Sequence, residues 1–102
     1  MHIKTTAASM LLLASLSVPQ TGIAVEITQG AMLANSCAAC HGTNGKSPGA
    51  IPAINGKSES FIIESMKAFQ SGARPSTVMG RHANGYTEVE IKLIAEFFSR
   101  QQ

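Results

Sequence analysis

The segment that decides the fold reads Cys37-Ala38-Ala39-Cys40-His41. Two thiols at this spacing, followed at once by an imidazole, match the requirement for covalent haem attachment, in which the thiols add to two vinyl groups and the histidine coordinates iron. A thioredoxin-type redox pair would need a preceding strand, and a structural zinc site would need further ligands nearby. The sequence offers neither, so we expect one covalent haem c held by Cys37, Cys40 and His41.

The beginning of the 102-residue chain differs in character from the rest. Lys4 precedes an apolar run from Ala7 to Val18, and small residues close the segment at Gly22-Ile23-Ala24. This is the pattern of a secretory signal peptide, and the apolar run is shorter than the about 20 residues that a membrane span requires. We therefore predict a signal peptide over residues 1–24, a mature domain over 25–102 without a membrane span, and a periplasmic location.

The charge and the size of this mature segment narrow the classes of function. Seven basic residues face six glutamates once Lys4 is removed, a formal charge of +1. Such a weak field does not indicate a nucleic-acid partner. A domain this small gains only about 3 to 5 kcal/mol from a side-chain core. We therefore expect the cofactor to complete the core.

Three stretches of the mature segment carry helical spacing and none alternates as a strand does, so the predicted fold is all-α. The predicted helices are Glu26–Cys37 with Thr28 as a candidate N-cap, Ser58–Ser71 stopped by Gly72, and a last helix that runs from the capping box of Thr87 and Glu90 to the chain terminus. Glycines and prolines predict irregular loops between these helices, at Gly42–Lys57 and Ala73–Tyr86.

A six-coordinate electron carrier needs a second axial ligand, and a thioether sulfur in that position raises the reduction potential. Met32 and Met66 occupy apolar positions of predicted helices, whereas Met79 lies in the predicted loop, where the backbone can bring its sulfur over the iron. Met79 is therefore the predicted sixth ligand. His82 is the competing ligand, and a five-coordinate haem that binds small ligands or reduces peroxide is the enzymatic alternative.

The histidine ligand also needs a partner for its other ring nitrogen, usually a backbone carbonyl that fixes the tautomer. Pro52, in Pro52-Ala53-Ile54-Asn55-Gly56, is the candidate for that carbonyl. The alternative is that Pro52 only stiffens the loop.

The sequence resembles the class I cytochrome c family in four features. These are the haem motif near the predicted mature N-terminus, the loop Gly42–Lys57 that contains Pro52 (the proline loop), the loop methionine Met79 and the final helix. The resemblance covers Val25 to Gln102. It implies a small fold in which three main helices and their loops wrap around one haem. It also implies that the first and last helices cross, with Gly30 or Ala34 meeting Phe97 or Phe98.

A narrower resemblance rests on Met66-Lys67-Ala68-Phe69-Gln70-Ser71-Gly72 and on Arg74-Pro75-Ser76-Thr77-Val78-Met79-Gly80-Arg81. These segments resemble the haem subunits of flavocytochrome c sulfide dehydrogenases, with His82 and Asn84 as departures. The resemblance implies an electron carrier that performs no bond chemistry and accepts electrons from a flavoprotein subunit. The alternative is a free cytochrome that exchanges electrons with other redox proteins, between respiratory or photosynthetic complexes.

Overall fold

The computed structural model describes residues 14–22 and 27–102. In these ranges it has no strand, and its helices are α1 (Gln29–His41), α2 (Glu59–Ser71), α3 (Met79–Ala83) and α4 (Glu88–Ser99), with one 3-10 turn at Thr43–Gly45. The predicted all-α fold with three main helices is confirmed. The predicted cleavage site after Ala24 and most of the predicted signal peptide lie outside the described residues.

Helix α1 extends further than its apolar pattern predicts. Thr28 is the N-cap, and its Oγ1 accepts a hydrogen bond from the Ala31 amide at 3.2 Å. The helix begins at Gln29, so the predicted start at Glu26 is too early, and the predicted end at Cys37 is wrong because the helix continues to His41. Alanine is the best helix former, and no breaker occurs between Cys37 and Gly42, which has a φ of 85°. The whole haem motif therefore lies on the helix.

Helices α2 and α4 have the predicted local signals. Ser58 caps α2 by accepting from the Phe61 amide at 3.2 Å, so the helix begins one residue later than predicted, and Gly72 ends it in the left-handed conformation. Thr87 and Glu90 form the predicted capping box of α4. This helix ends at Ser99, so its predicted extension to the chain terminus is wrong by the last few residues.

The predicted irregular segment Ala73–Tyr86 contains the short helix α3, so that prediction is wrong in its middle part. Met79 is the first residue of α3 rather than a loop residue. The Ser76 hydroxyl accepts from the Gly80 amide at 2.8 Å, and the His82 amide donates to the Val78 carbonyl at 3.0 Å. These bonds give the segment a helical turn that no apolar periodicity marks.

The core forms where α1 crosses α4 and where α2 packs on both α3 and α4. A Cβ atom on Gly30 would lie 2.8 Å from the Leu93 carbonyl oxygen and 3.6 Å from Phe97 Cβ, so a side chain is excluded at this crossing. Ala34 and Phe98 are buried in the same core. The expected approach of a small residue of α1 to the aromatic end of α4 is therefore present. None of the helices in the described ranges has the length and apolar composition needed to cross a bilayer.

Candidate haem site

The two cysteines of the motif lie on the last turns of α1, and both are free thiols. Cys37 is buried and Cys40 is exposed. Desolvation by burial raises the pKa of the Cys37 thiol, and the neighbouring Ser36 hydroxyl opposes this effect. Cys37 therefore lies at the inner side of the helix, while Cys40 is accessible at the surface.

His41 ends α1, and its ring is fixed by the proline loop. Its Nδ1 lies 2.6 Å from the carbonyl oxygen of Pro52. Because a carbonyl can only accept, Nδ1 carries the proton and donates, which leaves the lone pair of Nε2 free for a metal. The predicted contact between Pro52 and His41 is thus present in the structure.

Three backbone hydrogen bonds connect the proline loop to the 3-10 turn and to α4, and so fix the position of the Pro52 carbonyl. The amides of Ile54 and Asn55 both donate to the Gly45 carbonyl, at 2.9 and 3.3 Å, and the Gly56 amide donates to the Phe98 carbonyl at 2.9 Å. Gly45 has a φ of 77°, and a Cβ atom there would lie 2.9 Å from the Phe98 ring. Only glycine permits this approach of the loop to α4 without rearrangement.

Met79 and His82 have different environments although both belong to α3. Met79 is half-buried and packs against the hydrophobic core, whereas His82 is exposed and meets the Tyr86 ring edge-on, with centroids 6.0 Å apart. The C-terminal end of α3 is fastened by Gln70 of α2, whose Nε2 donates to the carbonyls of Ala83 at 2.9 Å and Tyr86 at 3.0 Å. The packing therefore favours Met79 over His82 as the inward-directed donor.

One hydrogen bond next to the haem motif, between the Tyr86 hydroxyl and the Ser36 hydroxyl, is not expected from the sequence. Ser36 immediately precedes Cys37, while Tyr86 follows α3. No motif or periodicity links two residues so far apart in the chain. The hydrogen bonds from Gln70 to the carbonyls of Ala83 and Tyr86 were not predicted for the same reason.

Charges are segregated around these segments. Residues 27–58 and 72–87 contain no aspartate or glutamate, and their charged residues are Lys46, Lys57, Arg74 and Arg81. The carboxylates after residue 27 all lie on α2 and α4. Two exposed apolar side chains, Ile51 and Val78, lie beside Pro52 and Met79 in sequence. The loops next to the predicted haem ligands are thus basic and partly apolar.

Two free thiols at the required spacing, an imidazole with its Nδ1 already bonded and a half-buried thioether form a donor set that fits haem c. Residues 27–100 match the sequence model of the family described as cytochrome c. The chain belongs to the cytochrome c family. Membership implies covalently bound haem c and an electron carrier rather than an enzyme with its own bond chemistry.

Three relatives show where this cytochrome lies within the family. It is 55% identical over 71 residues to the cytochrome subunit of sulfide dehydrogenase from Chlorobaculum tepidum. The aligned residues cover 70% of this chain and 64% of that protein. It is 34% identical over 71 residues to cytochrome c-554(548) from Halomonas halodenitrificans, covering 66% of this chain and 86% of that one. Cytochrome c-552 from Acidithiobacillus ferridurans is 31% identical over 64 residues, covering 63% of this chain and 28% of its own length. The chain therefore spans less than two thirds of two of these relatives.

Proposed function

We propose that this cytochrome is the electron-transfer subunit of a sulfide dehydrogenase and accepts electrons from a flavoprotein subunit. The observation that carries the proposal is the 55% identity to a protein named as the cytochrome subunit of sulfide dehydrogenase. The haem supplies a one-electron couple, and the chain supplies attachment, axial ligands and a contact surface. No group of the chain needs to make or break a substrate bond in this role.

The proposal gives each site residue a role, and the geometry described above supports these roles. Cys37 and Cys40 attach the haem, His41 offers Nε2 as the proximal ligand, and Met79 is the sixth ligand. Pro52 supports His41, because its carbonyl holds the Nδ1 proton and so fixes the ring orientation. The Pro52 bond also makes the imidazole more basic, which stabilises the ferric state.

The surface chemistry supports transfer to a protein partner. Electron transfer between proteins needs a close approach to the cofactor edge, and a surface of single charge sign selects partners of the opposite sign. The loops beside Pro52 and Met79 carry basic side chains, no carboxylates, and the exposed apolar residues Ile51 and Val78. This combination fits a partner surface with an apolar centre and acidic surroundings.

The proposal is tested by purifying the affinity-tagged full chain from its own organism under low salt. We expect a flavin-containing protein to co-elute in a fixed ratio, and sulfide to reduce the haem in that complex. The same cytochrome separated from its partner should be reduced by sulfide far more slowly. A haem protein that elutes at the size of a monomer, without flavin and without sulfide-dependent reduction in the native extract, would contradict the proposal.

A second candidate function is a free cytochrome that moves between redox complexes. It is favoured by the similarity to cytochrome c-554(548), of which this chain covers 86%. A free carrier should bury less than about 1,200 Å² in its complexes, whereas a permanent subunit should bury more. The monomer outcome of the purification, combined with rapid haem reduction by a membrane redox complex, would establish this alternative.

We also propose that the chain is exported to the periplasm and cleaved after Ala24. The support is the basic start, the short apolar run and the small residues before the cleavage point. N-terminal sequencing of the haem-loaded protein should begin at Val25. A mature protein that still begins at Met1 would refute the cleavage.

A further inference from the structure

One hydrogen bond joins the haem-attachment helix to the segment that carries Met79. Ser36 of α1 donates its hydroxyl proton to the Leu33 carbonyl at 3.0 Å, so its oxygen is left to accept. The Tyr86 hydroxyl is bonded to that oxygen and is therefore the donor. Among the side-chain hydrogen bonds of residues 27–102, this is the one that connects α1 to the segment between Met79 and Tyr86.

Tyr86 is itself held by contacts with α2 and with His82. Gln70 of α2 uses both amide protons, on the carbonyls of Ala83 and Tyr86, which spans the turn between α3 and α4. The ring of His82 contacts the Tyr86 ring edge-on. With its backbone and ring both restrained, the hydroxyl reaches Ser36 from a defined position.

Helix α3 depends on such connections because it is too short to be stable alone. It has five residues, and its N-cap residue Val78 offers no side-chain hydrogen bond to the first turn. A helix of this length has not recovered the entropy lost in nucleation, so tertiary contacts decide its position. Met79 is its first residue. The sulfur position therefore depends on what fastens the rest of the segment.

We propose that Tyr86 is a positioning residue for the Met79 ligand, acting through its hydrogen bond to Ser36. The inference rests on the proposed role of Met79 as the sixth ligand. Ser36 immediately precedes Cys37. The bond therefore holds the segment that follows α3 against the attachment helix, next to the haem linkage. When the bond is removed, the state in which Met79 has left the iron gains population, since the bond no longer favours the ligated arrangement.

The test is titration of the ferric haem-loaded protein with imidazole, which competes with Met79 for the sixth position. The apparent affinity for imidazole rises with the population of the Met79-dissociated state. Tyr86→Phe keeps the ring and removes the hydroxyl, so we expect imidazole to bind about fivefold more tightly, the change that loss of one hydrogen bond typically gives. Ser36→Ala should give the same change, and the double variant should exceed neither single variant.

Ser99→Ala is the matched control, because Ser99 makes the same type of bond to a carbonyl three residues earlier, the Glu96 carbonyl at 2.9 Å, but lies at the end of α4. We expect its imidazole affinity to equal that of the unmodified protein. Met79→Ala is the second reference and should bind imidazole more tightly than any other variant.

The outcomes separate this inference from the ligand assignment. If Met79→Ala binds imidazole more tightly while Tyr86→Phe and Ser36→Ala do not, the ligand assignment stands and the positioning role is wrong. If Met79→Ala leaves imidazole affinity unchanged, the ligand assignment is wrong and the positioning role is wrong with it. Equal gains for Ser36→Ala and Ser99→Ala would show a general loosening and also overturn the inference.

Discussion

The histidine side and the methionine side of the proposed haem site are built by different means. His41 ends a helix of 13 residues that packs on α4, and its ring is bonded to Pro52. Met79 begins a helix of five residues, and the segment from Met79 to Tyr86 is held by side-chain hydrogen bonds of Gln70 and Tyr86. The proximal ligand is thus preorganised by a local motif and one loop, whereas the distal ligand depends on tertiary contacts. Distal changes should therefore affect ligation more than folding, and proximal changes should affect both.

The largest effect should come from removing both attachment points with Cys37→Ala/Cys40→Ala. The described core contains few large buried side chains, Phe98, Ile91 and Ile94 among them, so the helices need the cofactor to fill the remaining space. We expect no covalent haem by mass spectrometry and a loss of roughly half or more of the helical circular dichroism. A haem-free variant that melts cooperatively with full helical amplitude would contradict the role of the cofactor in both halves.

The distal half alone is tested by Met79→Ala. We expect the sulfur-to-iron charge-transfer absorption to vanish, the reduction potential to fall, and imidazole to bind at least about tenfold more tightly. Helical content should change little, because Met79 is only half-buried. His82→Ala is the control and should retain the absorption band, since His82 is exposed. Absence of the band from the unmodified protein, or its persistence in Met79→Ala, would contradict the assignment of Met79 as the sixth ligand.

The proximal half is tested at the helix crossing by Gly30→Ala. The added Cβ atom would meet the Leu93 backbone oxygen at 2.8 Å, and a backbone atom cannot move aside cheaply. We expect the free energy of unfolding of the haem-loaded protein to fall by about 1 to 3 kcal/mol in a denaturant titration. Gly49→Ala is the control, because nothing lies within 4 Å of its added Cβ atom. Equal stability of the two variants would show that the crossing tolerates a side chain.

A smaller effect should follow from Pro52→Ala, which keeps the carbonyl and frees the backbone that carries it. Weakening of the bond to His41 makes the imidazole less basic, so the ferric state loses stabilisation and the reduction potential rises. We expect a rise of less than about 59 mV, equivalent to under tenfold in the redox equilibrium. The change is measured by redox titration, with Pro48→Ala in the same loop as the control. A fall in potential, or an equal rise in Pro48→Ala, would contradict the role of Pro52.

The smallest effect should come from Lys67→Gln, which lies away from both ligands. A hydrogen bond from Lys67 at 3.0 Å, together with its charge, holds the pKa of Glu88 below its ordinary value of 4.5. A lowered carboxyl pKa adds stability above the ordinary value, and this stability is lost as the pH falls through the lowered value. We expect a slightly lower thermal midpoint for Lys67→Gln at pH 7 and no difference from the unmodified protein in strong acid.

Salt distinguishes this ion pair from a packing effect. The difference between Lys67→Gln and the unmodified protein should also shrink in about 1 M salt, because both side chains are largely exposed. Lys46→Gln, in the proline loop, is the control and should show no such dependence on salt and pH. A difference that persists in acid and in salt would indicate that Lys67 acts through its aliphatic stem.

The histidine side of the site could be predicted from the sequence better than the methionine side. The Thr28 N-cap, the Gly72 stop and the Thr87 and Glu90 box act within a few residues, so these helix ends could be predicted without a structure. The contact of Pro52 with His41 was also expected, because the chemistry of a ligating imidazole demands a carbonyl nearby. The proximal side was therefore largely predictable.

The distal side was less predictable because its decisive contacts are not local. Helix α3 forms from the Ser76 hydroxyl and from ties to α2, and it carries no apolar periodicity that would reveal it. The bond of Tyr86 to Ser36 joins residues 50 positions apart. The end of α1 was misplaced for a simpler reason, since its apolar stripe stops before the helix does.

The crossing of α1 and α4 has a consequence for how the chain reaches this state. The two helices are the first and last of the described domain, so their packing has high contact order and requires closure of nearly the whole chain. In a chain still lacking α4, Gly30 has no helix to pack against. The Gly56 amide of the proline loop then also lacks its acceptor, the Phe98 carbonyl. Burial of Cys37 is consequently a late event that requires α4, and until then its thiol is as accessible as that of Cys40, which stays exposed in the folded domain.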